Sequence, residues 1–253
     1  MAEIKYIIPF TYKWEGGLSN ATTDAASKNP SPYTINGKTG WHTNKGITYP
    51  VFKTGATKYG YKDSLENFRD MPHEIWLKIA KGGYWDKLNL DTVKSQAVAN
   101  VMFSWCWGSG YAWIPRVSAY LKANGITWVG GTYSGKKLTL APDFNQLAAK
   151  LNELSNKVGE KKVFEDLIEQ KKQFLLSLKA ANPGGIYTKG WMNRLEDLRS
   201  YSSTLLGKTM EATKETITNA TEVVKKNPWK TIAAAAAITI VVYTGYKLIK
   251  KNI

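Results

Sequence analysis

The chain is poor in the residues that build metal centres and disulfides. Its 253 residues include one cysteine, Cys106, and two isolated histidines, His42 and His73. A single cysteine excludes an intramolecular disulfide and any cysteine-based metal site, and two separated histidines argue against zinc. No metal and no cofactor are therefore expected. Acidic residues are also scarce: 20 Asp and Glu stand against 35 Lys and Arg, a formal charge of +15. Such a balance favours polyanionic partners, whether nucleic acid, anionic lipid or a bacterial wall bearing carboxylates and phosphates. The positive residues are dispersed, with no arginine-rich arm and none of the usual nucleic-acid motifs, so nucleic acid is not the expected partner. The opening Met1-Ala2-Glu3-Ile4-Lys5 lacks a secretory signal pattern, and no internal repeat is visible.

Aromatics are plentiful. The chain holds 10 Trp and 14 Tyr, many beside glycine or polar residues, as in Gly40-Trp41-His42, Gly83-Tyr84-Trp85 and Trp105-Cys106-Trp107-Gly108. Aromatic faces next to polar groups suit sugar rings, and equally nucleobase stacking or core packing.

Apolar residues recur at helical spacing through most of the chain, which predicts a mainly helical body. Expected helices run from Ile4 to Trp14, Pro50 to Tyr59, Pro72 to Lys81, Pro115 to Asn124, from Asp143 onward, and from Lys161 to Ala181. A longer helix through Val93, Val98 and Trp105 is expected to be capped by Asp91 or Thr92. Turn residues from Ala21 to Gly40 predict a loop with a short hairpin at Asn36-Gly37, and Gly130-Gly131 with Gly135 predicts a second hairpin or loop.

Glu15 is the candidate for chemistry. Gly16-Gly17 directly after an apolar segment is a helix stop, which puts Glu15 in the last helical turn. The unsatisfied carbonyls there disfavour a negative charge, and Tyr12 and Trp14 can desolvate the carboxyl. Both raise the pKa of a glutamate, as a general acid near neutral pH requires. Asp24 is the lone acidic residue between Glu15 and Thr43, and so the candidate second carboxylate.

The C-terminal region differs in composition. Residues 201–227 read as a polar stalk, residues 228–249 as a transmembrane anchor and residues 250–253 as a basic tail. The uncharged run from Thr231 to Tyr246 is shorter than the roughly 20 residues that span a bilayer. Trp229 and Tyr246 at the two interfaces, with Lys230 and Lys247 snorkelling outward, extend it to a sufficient length. A lipid bilayer is thus an expected partner, with a buried or interfacial helix as the alternative.

Several landmarks in order resemble one family. Glu15-Gly16-Gly17, Thr43-Asn44-Lys45-Gly46-Ile47-Thr48, Tyr84-Trp85-Asp86 and Phe103-Ser104-Trp105-Cys106-Trp107-Gly108-Ser109-Gly110 are similar to motifs of the phage and bacterial N-acetylmuramidases of glycoside hydrolase family 108. Tyr187-Thr188-Lys189-Gly190-Trp191-Met192-Asn193-Arg194 resembles a signature of the peptidoglycan-binding region that commonly closes such enzymes. The resemblance covers residues 1–200, with residues 140–200 as the wall-binding-like part. It implies a lysozyme-like helical domain that hydrolyses peptidoglycan with Glu15 as catalytic acid. Asp24, or Thr43 positioning a water, would complete the chemistry. Trp41, His42 and Asn44, with Trp107 and Ser109, are expected as sugar contacts. For His42 the alternative is a surface-loop histidine, and for Tyr187 to Arg194 a packing element. Ser104 stands where the family commonly has Asp, and Gly108 where it has Asn. These departures motivate one alternative, an inactive wall-binding membrane protein, and the scarcity of carboxylates near Glu15 allows another, a lytic transglycosylase working with one acid. With the resemblance, the C-terminal anchor would lie in a virion membrane or a bacterial host membrane.

Overall fold

A computed structural model describes residues 1–28, 34–35, 38–39, 41–134, 137–140, 142–178, 185 and 187–206. The chain divides into two compact units, one from Glu3 to Asp91 and one from Thr92 onward together with Met1–Ala2.

In the first unit the expected Ile4–Trp14 helix is split into a 3-10 turn, Ile4–Tyr6, and helix α1, Ile8–Trp14. Pro9 is the reason. It has no N–H to donate, and its ring collides with a carbonyl one turn earlier, so it is tolerated only in the first turn of a helix. α1 buries Phe10 and Thr11, and the Thr11 hydroxyl donates back to the Ile7 carbonyl at 3.0 Å. Strand β1 (Leu18–Ser19) follows. Strands β2 (Thr34–Ile35) and β3 (Lys38–Thr39) pair antiparallel on either side of positions 36 and 37, where the sequence predicts a hairpin. Strands β4 (Thr43–Asn44) and β5 (Ile47–Thr48) join β1 in an antiparallel sheet of order β1-β4-β5. Lys45 and Gly46 connect β4 to β5 with φ of 47° and 77°. Two successive left-handed residues give the turn whose twist matches a tight hairpin.

Helices α2 (Tyr49–Lys58), α3 (Leu65–Arg69) and α4 (His73–Ala80) complete this unit around buried Phe52, Phe68, Ile75, Trp76 and Ile79. Pro72 is the N-cap of α4, one position before its expected place in the first turn. A wide π turn, Lys81–Trp85, continues α4, and Lys81 pairs with Asp86.

The second unit is built on helix α5, Gln96–Ser109, buried on every side from Gln96 to Trp107. A helix without a charged residue over this length has no face to offer water. Its cap corrects the sequence expectation. Ser95 is the N-cap, accepting from the Val98 N–H at 3.1 Å, while Asp91 and Thr92 lie in a separate 3-10 turn. Asp91 instead accepts from the Trp85 indole N–H at 2.5 Å. Cys106 is buried, as expected of a small apolar side chain.

Helix α6 (Ile114–Ala123) stops at Asn124-Gly125, and strands β6 (Thr132–Ser134) and β7 (Lys137–Leu140) form the second expected hairpin. Helix α7 (Phe144–Val158) starts at Asp143, whose carboxylate accepts from the Asn145 and Gln146 N–H groups. Helix α8 (Glu160–Ser177) packs Phe164, Leu167, Ile168 and Phe174 inward. A last helix, α9, covers residues 188–206 and runs through the start of the expected stalk. It is held by buried Leu195 and Leu198, by Arg199 against Glu165 at 2.8 Å, and by Ser202, which accepts from the Asn100 amide at 3.2 Å.

The described residues are therefore mainly helical, with strands confined to short hairpins. Among them no helix is long and apolar enough to cross a membrane. The anchor expected at 228–249, the tail at 250–253 and the stalk beyond residue 206 lie outside the described residues.

Candidate active site

Glu15 is the C-cap of α1 rather than part of its last turn: its backbone is extended, at φ −91° and ψ 112°, and its N–H still reaches the Thr11 carbonyl. The chain thus leaves the helix at Glu15 and enters β1 three residues later. A Cβ built on Gly16 or Gly17 would meet nothing within 4 Å, so the backbone beside Glu15 is open to approach. The Glu15 side chain is half-buried.

The pairing of β1 with β4 then sets Ser19 opposite Thr43 and Leu18 opposite Asn44. His42, just before β4, is 1% exposed, which removes the surface-loop alternative for it. Its Nε2 lies 3.2 Å from the Ala21 carbonyl and its Nδ1 lies 2.7 Å from the Thr43 hydroxyl. A carbonyl can only accept, so Nε2 carries the proton; in the neutral ring Nδ1 then accepts from Thr43. That arrangement leaves the lone pairs of Thr43 Oγ1 as the acceptor it offers, the polarity needed to accept a hydrogen bond from a water.

Asp24 opens the short 3-10 turn Ala25–Lys28, with one carboxylate oxygen accepting from the Ala26 N–H at 2.9 Å. That bond fixes the orientation of the carboxylate. Asn44 is 1% exposed, and its amide donates to the carbonyls of Phe68 at 2.6 Å and Arg69 at 2.9 Å. Both amide protons are spent on the backbone at the end of α3, so its visible work is to hold β4 there. Trp41 is half-buried at the approach to β4. Glu15, Asp24, Trp41, His42, Thr43 and Asn44 all belong to the first unit; Trp107 and Ser109 belong to the second, at the end of α5. Trp107 is largely buried and stacks on Phe103 at 5.8 Å, and Ser109 is half-buried.

Sequence reasoning passed over two residues. Lys45 binds the Met71 carbonyl through Nζ at 2.8 Å, while its own carbonyl accepts from the Trp76 indole at 2.8 Å, so it ties the β4–β5 turn to α4. Its position before a hairpin glycine was the available signal. Lys171 is 7% exposed within α8 and donates to Ser104 at 2.7 Å. Its spacing from Phe164, Leu167 and Ile168 marks it as facing inward. Among the described residues no group of three or more His, Cys, Asp or Glu side chains is placed to hold a metal.

Comparison with known proteins supports the resemblance seen in the sequence. Residues 8–110 match the family model Glycosyl hydrolase 108. The fold is similar to that of Brucella abortus SagA, with a TM-score of 0.54 over 81% of this chain and 97% of that one, at 19% identity. At that identity the likeness is one of fold. No curated protein matches the chain. The family match spans Glu15, the β1-β4-β5 sheet and all of α5 in one run, and supports assigning residues 8–110 to glycosyl hydrolase family 108, with a glycoside hydrolase activity on peptidoglycan.

Proposed function

We propose that the chain is an N-acetylmuramidase, cleaving the bond from N-acetylmuramic acid to N-acetylglucosamine in peptidoglycan, with Glu15 as general acid. The observation that carries this reading is the position of Glu15. It caps α1 beside two unobstructed glycines, on the segment that feeds the strand paired with Thr43. A protonated Glu15 gives its proton to the glycosidic oxygen as the bond to the sugar carbon breaks. Thr43, its own proton directed at His42, accepts a hydrogen bond from the incoming water. Asp24, oriented by the Ala26 N–H, takes the proton that the water loses. Trp41 supplies a sugar contact in this reading, and His42 and Asn44 act by holding Thr43 and β4 in place.

The test is digestion of purified peptidoglycan by the wild type and by Glu15→Gln, with the released fragments identified by mass spectrometry. General acid catalysis typically contributes about 10²–10⁴-fold, so the variant should lose at least about 100-fold in rate. Fragments with reducing muramic acid ends are expected. Unchanged release by the variant would remove Glu15 from the mechanism. No release by the wild type, with wall binding intact, would favour an inactive wall-binding protein.

One observation favours a second reading. An oxygen of Asp24 already caps its own turn, which suits an enzyme working through a single acid. A lytic transglycosylase does so, and anhydromuramic ends among the products would identify it.

The membrane anchor at residues 228–249 belongs to the same proposal. It rests on the uncharged run between Lys230 and Lys247 and on the flanking Trp229 and Tyr246. A wall-cleaving enzyme on such an anchor fits a phage particle with an internal membrane, or tethering to the host membrane. Its absence from purified particles would count against the first.

A further inference from the structure

Thr43 and Asp24, the two groups on the water side of the proposed reaction, are joined through one buried ring of the first unit. The Thr43 hydroxyl donates to His42 Nδ1 at 2.7 Å, and His42 Nε2 donates to the Ala21 carbonyl at 3.2 Å. That same carbonyl accepts from the Asp24 N–H at 3.1 Å, using its second lone pair. The Asp24 carboxylate is then aimed by the Ala26 N–H at 2.9 Å. One hydrogen-bonded chain thus runs from the Thr43 hydroxyl, through the imidazole and one carbonyl, to the backbone of Asp24. The ring itself is pinned at its base. The His42 N–H donates to the Ser19 carbonyl at 3.0 Å, and the His42 carbonyl accepts from the Tyr49 N–H at 3.1 Å.

We infer that His42 is a positioning residue for hydrolysis, fixing the place of Asp24 relative to Thr43 as well as the direction of the Thr43 proton. The inference rests on the function proposed above, in which Thr43 accepts a hydrogen bond from the water and Asp24 takes the proton that the water loses. Packing alone does not call for histidine at this position, because an apolar ring of similar size would fill the same buried space. The Ala21 carbonyl does not call for it either, since the Asp24 N–H already satisfies that group. What only the imidazole supplies is an acceptor on one edge and a donor on the other, in a rigid ring held 1% exposed. Without it the Thr43 hydroxyl turns freely and points its proton at the water for part of the time. The turn that carries Asp24 also loses its tie to β4. A water held between two groups of fixed separation is oriented before reaction, and that orientation is the part of the barrier His42 lowers.

The test is steady-state kinetics of the full-length protein, in mild detergent, on soluble peptidoglycan oligosaccharides. His42→Phe keeps a ring in the buried site and removes both nitrogens. Its kcat should fall about tenfold, the worth of one orienting hydrogen bond, with KM little changed because the bond serves the transition state and not binding. Thr43→Val removes the hydroxyl through which His42 acts. In that background, as in Asp24→Asn, adding His42→Phe should cost clearly less than it does in the wild type. If His42→Phe does not fold, His42→Gln enters the same cycles. Nitrogen NMR of the wild type reads the geometry without any activity: with only two histidines in the chain, the His42 ring is readily assigned and should carry its proton on Nε2. Losses that simply multiply would overturn the inference, as would an unchanged kcat in the folded variants or a proton found on Nδ1 in the neutral ring. Loss of hydrolysis in Glu15→Gln together with full activity in His42→Phe would sink this inference alone. Unchanged hydrolysis in Glu15→Gln would instead remove the reading on which it rests.

Discussion

Asp24 is the residue whose role a single substitution resolves. Asparagine caps a helical turn about as well as aspartate, so Asp24→Asn should keep the bond from Ala26 and the local fold. If the carboxylate takes the proton of the attacking water, hydrolysis should nonetheless fall by about 100-fold or more, measured as the initial rate on peptidoglycan. Retained activity would leave Asp24 as a cap alone. Glu160 yields a pH prediction. Burial pushes its carboxyl above the usual glutamate range, and the hydrogen bond from Ser95 only partly opposes this. Between the unfolded and folded pKa values the native state holds more protons, so the stability linked to this group is present at low pH. It is lost as pH rises through the folded value. Glu160→Gln retains the acceptor for Ser95 and cannot ionise, so its urea midpoint should gain on the wild type as pH rises from 4.5 towards neutrality. A difference that does not change with pH would refute the linkage. Glu15 at a helix end was legible from Gly16-Gly17. The burial of Asn44 and the contact between His42 and Thr43 were not, because they depend on where α3 and the Ala21 carbonyl arrive in space.

At the scale of elements, the close approach of α2 and α4 turns on one glycine. A Cβ at Gly55 would lie 2.5 Å from Cγ1 of buried Ile79, well inside contact distance. Gly55→Ala gains helix propensity of about 1 kcal/mol but must push the helices apart, and overpacking costs about 1–3 kcal/mol. The net expectation is a lower midpoint in urea; an unchanged or raised midpoint would show that Ile79 repacks freely. Element identity was largely legible where apolar spacing ran long, as in α7, which begins after the expected Asp143, and α8, which starts at Glu160 and ends at Ser177, short of the expected Ala181. Starts were less so. Asp91 and Thr92 have the chemistry of a cap, but Asp91 is claimed by the Trp85 indole, and Ser95 does the capping. Two-residue strands such as β1 and β4 carry no periodicity at all, so the pairing of Ser19 with Thr43 could not be read from their sequence.

For the molecule as a whole, the membrane reading makes a separable prediction. The full chain mixed with liposomes should float with them in a density gradient, and a chain ending near residue 206 should stay at the bottom. Equal flotation of both would place the lipid contact elsewhere. Because the high positive charge also draws the protein to anionic lipid, the gradient should be run at high salt, which screens that attraction. The lone thiol has a use at this scale. Cys106 is 2% exposed in the most buried helix of its unit, and the chain has no other cysteine. A thiol-reactive dye can therefore mark the unmodified protein at one point, and only while the packing around α5 is open. Labelling rate becomes an internal clock for that opening, against which ligands and substitutions in the second unit can be ranked without adding a probe.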